Sequence, residues 1–207
     1  DRDRSYNFGD NVLDFTTQNT INYSLGLASP LSFRAGTLKY KQQLFNADVS
    51  KTLDFGLAYP ATLSFGAEYR QEDWSQGAGE PDSCFGLGSE GFPGFTPRNS
   101  GSYDRNSYAV YAGLEADISE QFSAGVAGRY EDYSDFGDQV SGKLSARYAF
   151  TDAVALRGTV SSGFRAPALA QQHYQAVTTN ITNGVAFETG TFPAAGAAAQ
   201  ALGAELL

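Results

Sequence analysis

Apolar and polar residues alternate one by one along most of this chain. In 105–118, Tyr108, Val110, Ala112, Leu114, Ala116 and Ile118 alternate with Ser107, Ala109, Tyr111, Gly113, Glu115 and Asp117. In 122–133, Phe122, Ala124, Val126, Gly128 and Tyr130 stand against Ser123, Gly125, Ala127, Arg129 and Glu131. Val140, Leu144, Ala146, Tyr148 and Phe150 oppose Ser141, Lys143, Ser145 and Arg147, and Val154, Leu156 and Val160 oppose Arg157, Thr159 and Ser161. Upstream, Leu63, Phe65, Ala67 and Tyr69 oppose Thr62, Ser64, Glu68 and Arg70. A period of two puts neighbouring side chains on opposite faces of a strand. The pattern therefore predicts strands at 14–25, 38–50, 60–73, 105–118, 122–133, 140–150 and 154–163. A slip of phase near Leu44–Phe45 predicts a bulge.

A soluble β-sandwich alternates too, but three features favour an all-β, antiparallel transmembrane β-barrel fold, of which about seven strands can be counted here. The predicted strands exceed the usual length of about five or six residues. Tyr or Phe stands near the ends of most apolar faces, as in Phe122 with Tyr130, Phe65 with Tyr69 and Tyr148 with Phe150. Such residues form the interfacial girdles of outer-membrane barrels. The connections also alternate short with long: 118–122 and 151–153 are tight, whereas 74–103 and the stretch from 164 onward are long. Short turns mark the periplasmic side of such a barrel and long loops the outside. The expected outer loops are 26–37, 74–103, 134–139 and 164–207, the last ending in a truncated tail. The opposite face carries Arg, Glu, Lys and Asp at mid-strand, which a water-filled lumen tolerates.

Composition narrows the partners. The net charge of −9 disfavours nucleic acid, whose phosphates demand clustered Lys and Arg. No apolar run approaches the roughly 18 residues of a membrane helix, and no signal peptide is visible. The chain contains no Met, as expected of mature or excised sequence. Its single Cys84 cannot form an internal disulfide.

The short motifs carry little chemistry. "GLGSEG" at 86–91 fits Gly-x-Gly-x-x-Gly but runs into "FPGFTP" instead of a helix, so no nucleotide cofactor is expected. "DFG" at 54–56 and 135–137 reads as turns, and the Asn-x-Ser/Thr matches at Asn22 and Asn180 as chance. His173 with Ser161 and Ser162 suggests a hydrolase, yet no nucleophile turn or orienting carboxylate has a recognisable spacing. One His and one Cys far apart make no metal set. No catalytic, cofactor or metal residue is therefore assigned.

The run "RYEDYSDFGDQVSGKLSARYAFTDAVALRGTVSSGFRAPALAQQHY" (129–174) resembles the barrel of TonB-dependent outer-membrane receptors. "NTINYSLGLASPLSFRAGTLKYKQ" (19–42) and "LSFGAEYRQEDW" (63–74) are also similar to barrel segments of that family. The resemblance implies the cell outer membrane of a Gram-negative bacterium and energy-coupled uptake of a scarce, bulky ligand such as an iron–siderophore complex. The implied partners are outer-membrane lipid, the ligand, and, in the intact parent, its own plug domain and the TonB energy-coupling protein. The plug, the TonB box and the terminal aromatic of family barrels are absent from these 207 residues, and about seven strands cannot close the family's barrel. The chain is thus expected to be an internal slice, partial over 1–207, with two open edges and not active alone. A passive porin-like or adhesin barrel and an outer-membrane hydrolase remain as alternatives.

Two groups stand out as candidate site residues. In Gly163, Phe164, Arg165, Ala166 and Pro167, the proline ends the strand because it cannot donate to a ladder. By phase Arg165 joins the lumen face. It either pairs with a lumen carboxylate in a structural turn, or belongs to a segment, 163–174, folded inward at the rim. In the loop 74–103, Trp74, Phe85, Phe92 and Phe95 suit ligand capture, or packing of the loop against the rim.

Overall fold

The computed structural model of the chain describes residues 1–183 and 185–204. Seven strands form one sheet whose spatial order is the chain order: β1 (Arg2–Gln18), β2 (Ser32–Leu53), β3 (Ala61–Ala78), β4 (Gly101–Asp117), β5 (Phe122–Tyr133), β6 (Gly137–Thr151) and β7 (Val154–Ser161). A separate hairpin follows, β8 (Ala176–Thr182) with β9 (Val185–Thr191). Two one-turn helices lie in the connections, α1 (Pro81–Cys84) and α2 (Leu169–His173).

The expected strands stand where alternation is strongest, in β4 through β7. One expectation is corrected. The first strand is β1, at Arg2–Gln18, and the expected strand 14–25 runs into a 3₁₀ segment at Tyr23–Ala28. Within 164–207 lie α2 and the β8–β9 hairpin, which stands apart from the seven-stranded sheet.

Register explains the alternation. Leu114 pairs with Val126, Val126 with Leu144 and Leu144 with Val160, so one apolar row crosses four strands. The row Val110, Tyr130, Val140 repeats this toward the other strand end. On the reverse face Glu115, Gly125, Ser145 and Thr159 form a row, and Asp117, Ser123, Arg147 and Arg157 the next. Within β4–β7 the register shifts between Ala149 and Thr151, beside the β6–β7 turn.

The burial pattern is inverted relative to a soluble domain. Val110, Val126, Leu144, Leu156 and Val160 are all more than half exposed. The buried apolar set among the described residues is only Phe33, Ala35, Ala61, Trp74, Phe95, Ala109, Tyr133 and Leu169. A contiguous apolar surface of this extent calls for an apolar environment. Its height agrees with a bilayer. Tyr108 and Ile118 are ten residues apart, about 33 Å along a strand, which a tilt of about 40° reduces to about 25 Å. No helix among the described residues is long and apolar enough to cross a membrane, which says nothing of strands.

The chain divides into two compact units, each taken by itself below. One comprises 1–8, 42–71 and 105–166, and the other 9–41, 72–104 and 167–207. In the first unit, consecutive strands give one ring each to an aromatic row. Tyr6 meets Phe45 at 4.6 Å, Phe45 meets Tyr69 at 6.3 Å and Tyr69 meets Tyr108 at 4.9 Å between ring centroids. Tyr and Phe suit such a row because one end tolerates lipid and the other water. Phe122, Tyr148 and Phe150 form a second cluster at the opposite strand end.

Candidate functional site

The polar face of the first unit is a wall of paired charges. Successive odd positions of β4 and β5 put Tyr111 beside Arg129 and Ala109 beside Glu131. The Arg129 guanidinium donates to Glu131 at 2.9 Å, lies 3.4 Å from Glu68 and sits 5.2 Å above the Tyr111 ring. Glu68 also accepts from Arg70 at 2.8 Å, and Glu131 from the Tyr133 hydroxyl at 3.2 Å. The Tyr111 hydroxyl donates to Asp48 on β2. Gly66 makes that bond possible, since a Cβ there would stand 2.6 Å from both Asp48 Oδ1 and the Tyr111 hydroxyl. Four strands thus contribute to one network, which holds long side chains flat against the wall.

Just beyond, where β5 ends, a buried cation organises the β5–β6 turn. Arg105 is 2% exposed and forks onto Asp135 with bonds of 2.8 to 2.9 Å. Its guanidinium also lies 5.3 Å from the Phe136 ring and 5.8 Å from Tyr133. Phe164 packs edge-on to Tyr133 and Phe136 at 6.1 and 6.3 Å. The fork geometry is specific to arginine, and the rings shelter it from water.

Of the Arg-Ala-Pro group, then, Phe164 joins a cluster and its neighbours do not. Gly163 stands in open space, and Arg165 is exposed with no carboxylate in salt-bridge range among the described residues. β7 ends at Ser161, before the proline is reached. Pro167 lies in the second unit, where its carbonyl accepts from Gln172 at 3.2 Å.

In the second unit the long loop is folded, not splayed. Backbone bonds run from Gly79 to the Phe95 carbonyl at 2.9 Å, from Phe95 to Ala35 at 2.8 Å and from Glu80 to Arg34 at 2.8 Å. Phe95 lands on Gly36, whose φ of 136° and whose 2.5 Å gap between an added Cβ and the Phe95 ring both require glycine. Asn22 is fully buried, and its amide donates at 2.8 Å to the carbonyls of Asp82 and of Phe85. That sequon match is thus a structural hub. The three glycines of "GLGSEG" have positive φ and serve turns within this fold.

The four loop aromatics separate accordingly. β3 extends to Ala78, so Trp74 stands in a strand, buried and 6.0 Å from Tyr103. Phe92 stacks on Phe15 at 5.2 Å, while buried Phe95 meets Phe15, Phe92 and Tyr174 edge-on. Phe85 alone of the four is exposed. His173 lies flat on Tyr103, with ring centroids 3.7 Å apart and planes 3° from parallel. Gln76, 2% exposed, holds the next segment by donating to the Gln175 carbonyl at 2.6 Å. Tyr103, Gln76 and Arg105 were missed from the sequence because long-range partners define them. Only their place on alternating strands hinted at a role.

Ser162 accepts from Gly142 at 3.1 Å and is part of the sheet ladder. No group of three or more metal-ligating side chains occurs among the described residues.

Comparison with known proteins agrees with the geometry. A family profile described as "TonB dependent receptor-like, beta-barrel" matches residues 1–201. The siderophore receptor PirA from Acinetobacter baumannii is structurally similar, with a TM-score of 0.53 and 16% identity over 74% of this chain and 22% of its own. A mutant of the ferric enterobactin receptor PfeA from Pseudomonas aeruginosa gives a TM-score of 0.59 and 17% identity over 84% of this chain and 25% of its own. The chain thus spans about a quarter of the length of these solved relatives. No curated protein matches it.

Proposed function

The chain belongs to the TonB-dependent receptor β-barrel family, and from that membership we propose that it is barrel wall of an outer-membrane receptor for energy-coupled uptake of a ferric siderophore. The single observation behind this is the sorting of side chains by register: an apolar row from Leu114 to Val160 on one face and a charged one from Asp117 to Arg157 on the other. Lipid meets the first face and the ligand path the second. The names of the two solved relatives support the ligand class.

In this reading the intact receptor also carries a plug, and an inner-membrane energy-coupling protein of the TonB class supplies the work. Gly163 to Pro167 mark the outer rim, with Phe164 as the anchored member. Phe85, exposed on the folded loop, is the ligand-facing aromatic. Trp74, Phe92 and Phe95 shape the loop from within.

Uptake of radiolabelled iron, supplied as a panel of ferric siderophores, tests the proposal in cells with and without the gene. Uptake that depends on the gene and collapses with a protonophore is the expected result. Gene-dependent entry that ignores the protonophore would instead identify a passive pore.

A further inference from the structure

The charged wall has one section whose cations are not matched by anions. On β6 and β7, Lys143 pairs across with Ser161, Ser145 with Thr159 and Arg147 with Arg157. All six side chains share the polar face, because register positions of one parity do. The result is a hydroxyl row flanked on one side by a lysine and on the other by two arginines. No carboxylate lies within 4.0 Å of Lys143, Arg147 or Arg157 among the described residues. Arg70, Arg105 and Arg129 of the same unit all have one.

Two arginines directly opposite each other repel, and such like-charge pairs destabilise a sheet. Here they also line a recess of about 380 Å³, together with Ser123, Gly125, Ser145 and Thr159. That volume is in the range of small-molecule sites. The floor is low because Gly125, on the polar face, presents no side chain. Glu115 and Asp117 line the far wall. They stand on β4, two strands from β6, or about 10 Å away at normal strand spacing. An anion is therefore favoured on the β6–β7 side only.

We propose that Arg147 and Arg157, with Lys143 and the hydroxyls of Ser145 and Thr159, form a binding site for a soluble multivalent oxyanion of the phosphate or carboxylate class. The two guanidinium groups supply planar forks that match such oxygens. The hydroxyls supply neutral donors; Ser145 now spends its own on the Gly125 carbonyl at a long 3.4 Å. The site stands on the chemistry of β6 and β7 and is separate from the choice of siderophore.

Pyrophosphate is the probe, titrated calorimetrically into the full receptor in detergent at low salt. Saturable binding is expected, weakened at least about tenfold by Arg147→Gln or Arg157→Gln, since a charge-assisted bond is worth about 1.5–3 kcal/mol. Arg147→Lys should weaken it less, retaining charge but losing the fork. Heat-modifiable migration on gels confirms that each variant is folded. A flat titration of the wild type, or equal binding by both glutamine variants and the wild type, overturns the site. Uptake of ferric siderophore by the same variants is measured in parallel. A flat titration with intact uptake removes the site alone, whereas bound pyrophosphate without uptake removes the transport reading alone.

Discussion

Replacing Val126 by arginine puts the lipid-facing reading at risk most directly. Val126 is 53% exposed in the chain and lies in register between Leu114 and Leu144. It stands four residues from Phe122 and four from Tyr130. At about 3.3 Å per residue and a tilt of about 40°, each flank is about 10 Å away in height, so the site falls near mid-bilayer. An arginine there should cost about 2–4 kcal/mol, and near the interface only about 0–1 kcal/mol. Val140, which pairs with Tyr130 in the aromatic zone, supplies the interfacial comparison. Ala127, the next residue along and on the polar face, supplies the lumenal one. The assay is equilibrium urea unfolding of the full receptor in phosphatidylcholine vesicles. The expected order of destabilisation is Val126→Arg well above Val140→Arg, with Ala127→Arg below about 1 kcal/mol. If Ala127→Arg costs as much as Val126→Arg, the two faces are wrongly assigned. If Val140→Arg costs as much, the membrane depth is wrong.

Asp135→Ala should destabilise by about 1.5–3 kcal/mol, because the buried Arg105 loses its charge-assisted fork. Arg105→Met should cost less, since Asp135 is the more exposed partner; the same unfolding assay gives the order. Gly36→Ala should release the long loop, because the added methyl meets the Phe95 ring and the Gly77 carbonyl at 2.5 and 2.8 Å. The readout is faster proteolytic nicking within 79–100. Asn22→Ala should loosen the same loop at a cost of about 1–3 kcal/mol by stranding buried carbonyls. Unchanged hydrogen exchange at Glu90, whose N–H reaches the Ile21 carbonyl, would contradict that role.

What the sequence made legible was whatever depends on neighbours along the strand. The two faces of β4 to β7 follow from alternation alone, and the structural register aligns them residue for residue. The placement of β1 was not legible: its opening stretch, "DRDRSYNFGDN", is too charged to read as a strand and is paired by β2. The loop fold was equally hidden. Asn22 and Phe95 owe their burial to partners about 60 residues distant, for which local pattern holds no signal. Arg105 is the intermediate case, since mid-strand charge was expected on the polar face but not its clamp on Asp135.

Because spatial order equals chain order, each strand meets its partner as soon as the intervening connection closes. The connections differ greatly: 118–121, 134–136 and 152–153 join β4 through β7, whereas 79–100 joins β3 to β4. Closing that long segment costs about 2 kcal/mol more entropy than closing the three-residue turn between β5 and β6. The β4–β7 meander is therefore the natural nucleus for assembly, zipping hairpin by hairpin. The upstream strands then join a template already in register, and the sheet grows from its C-terminal side toward β1.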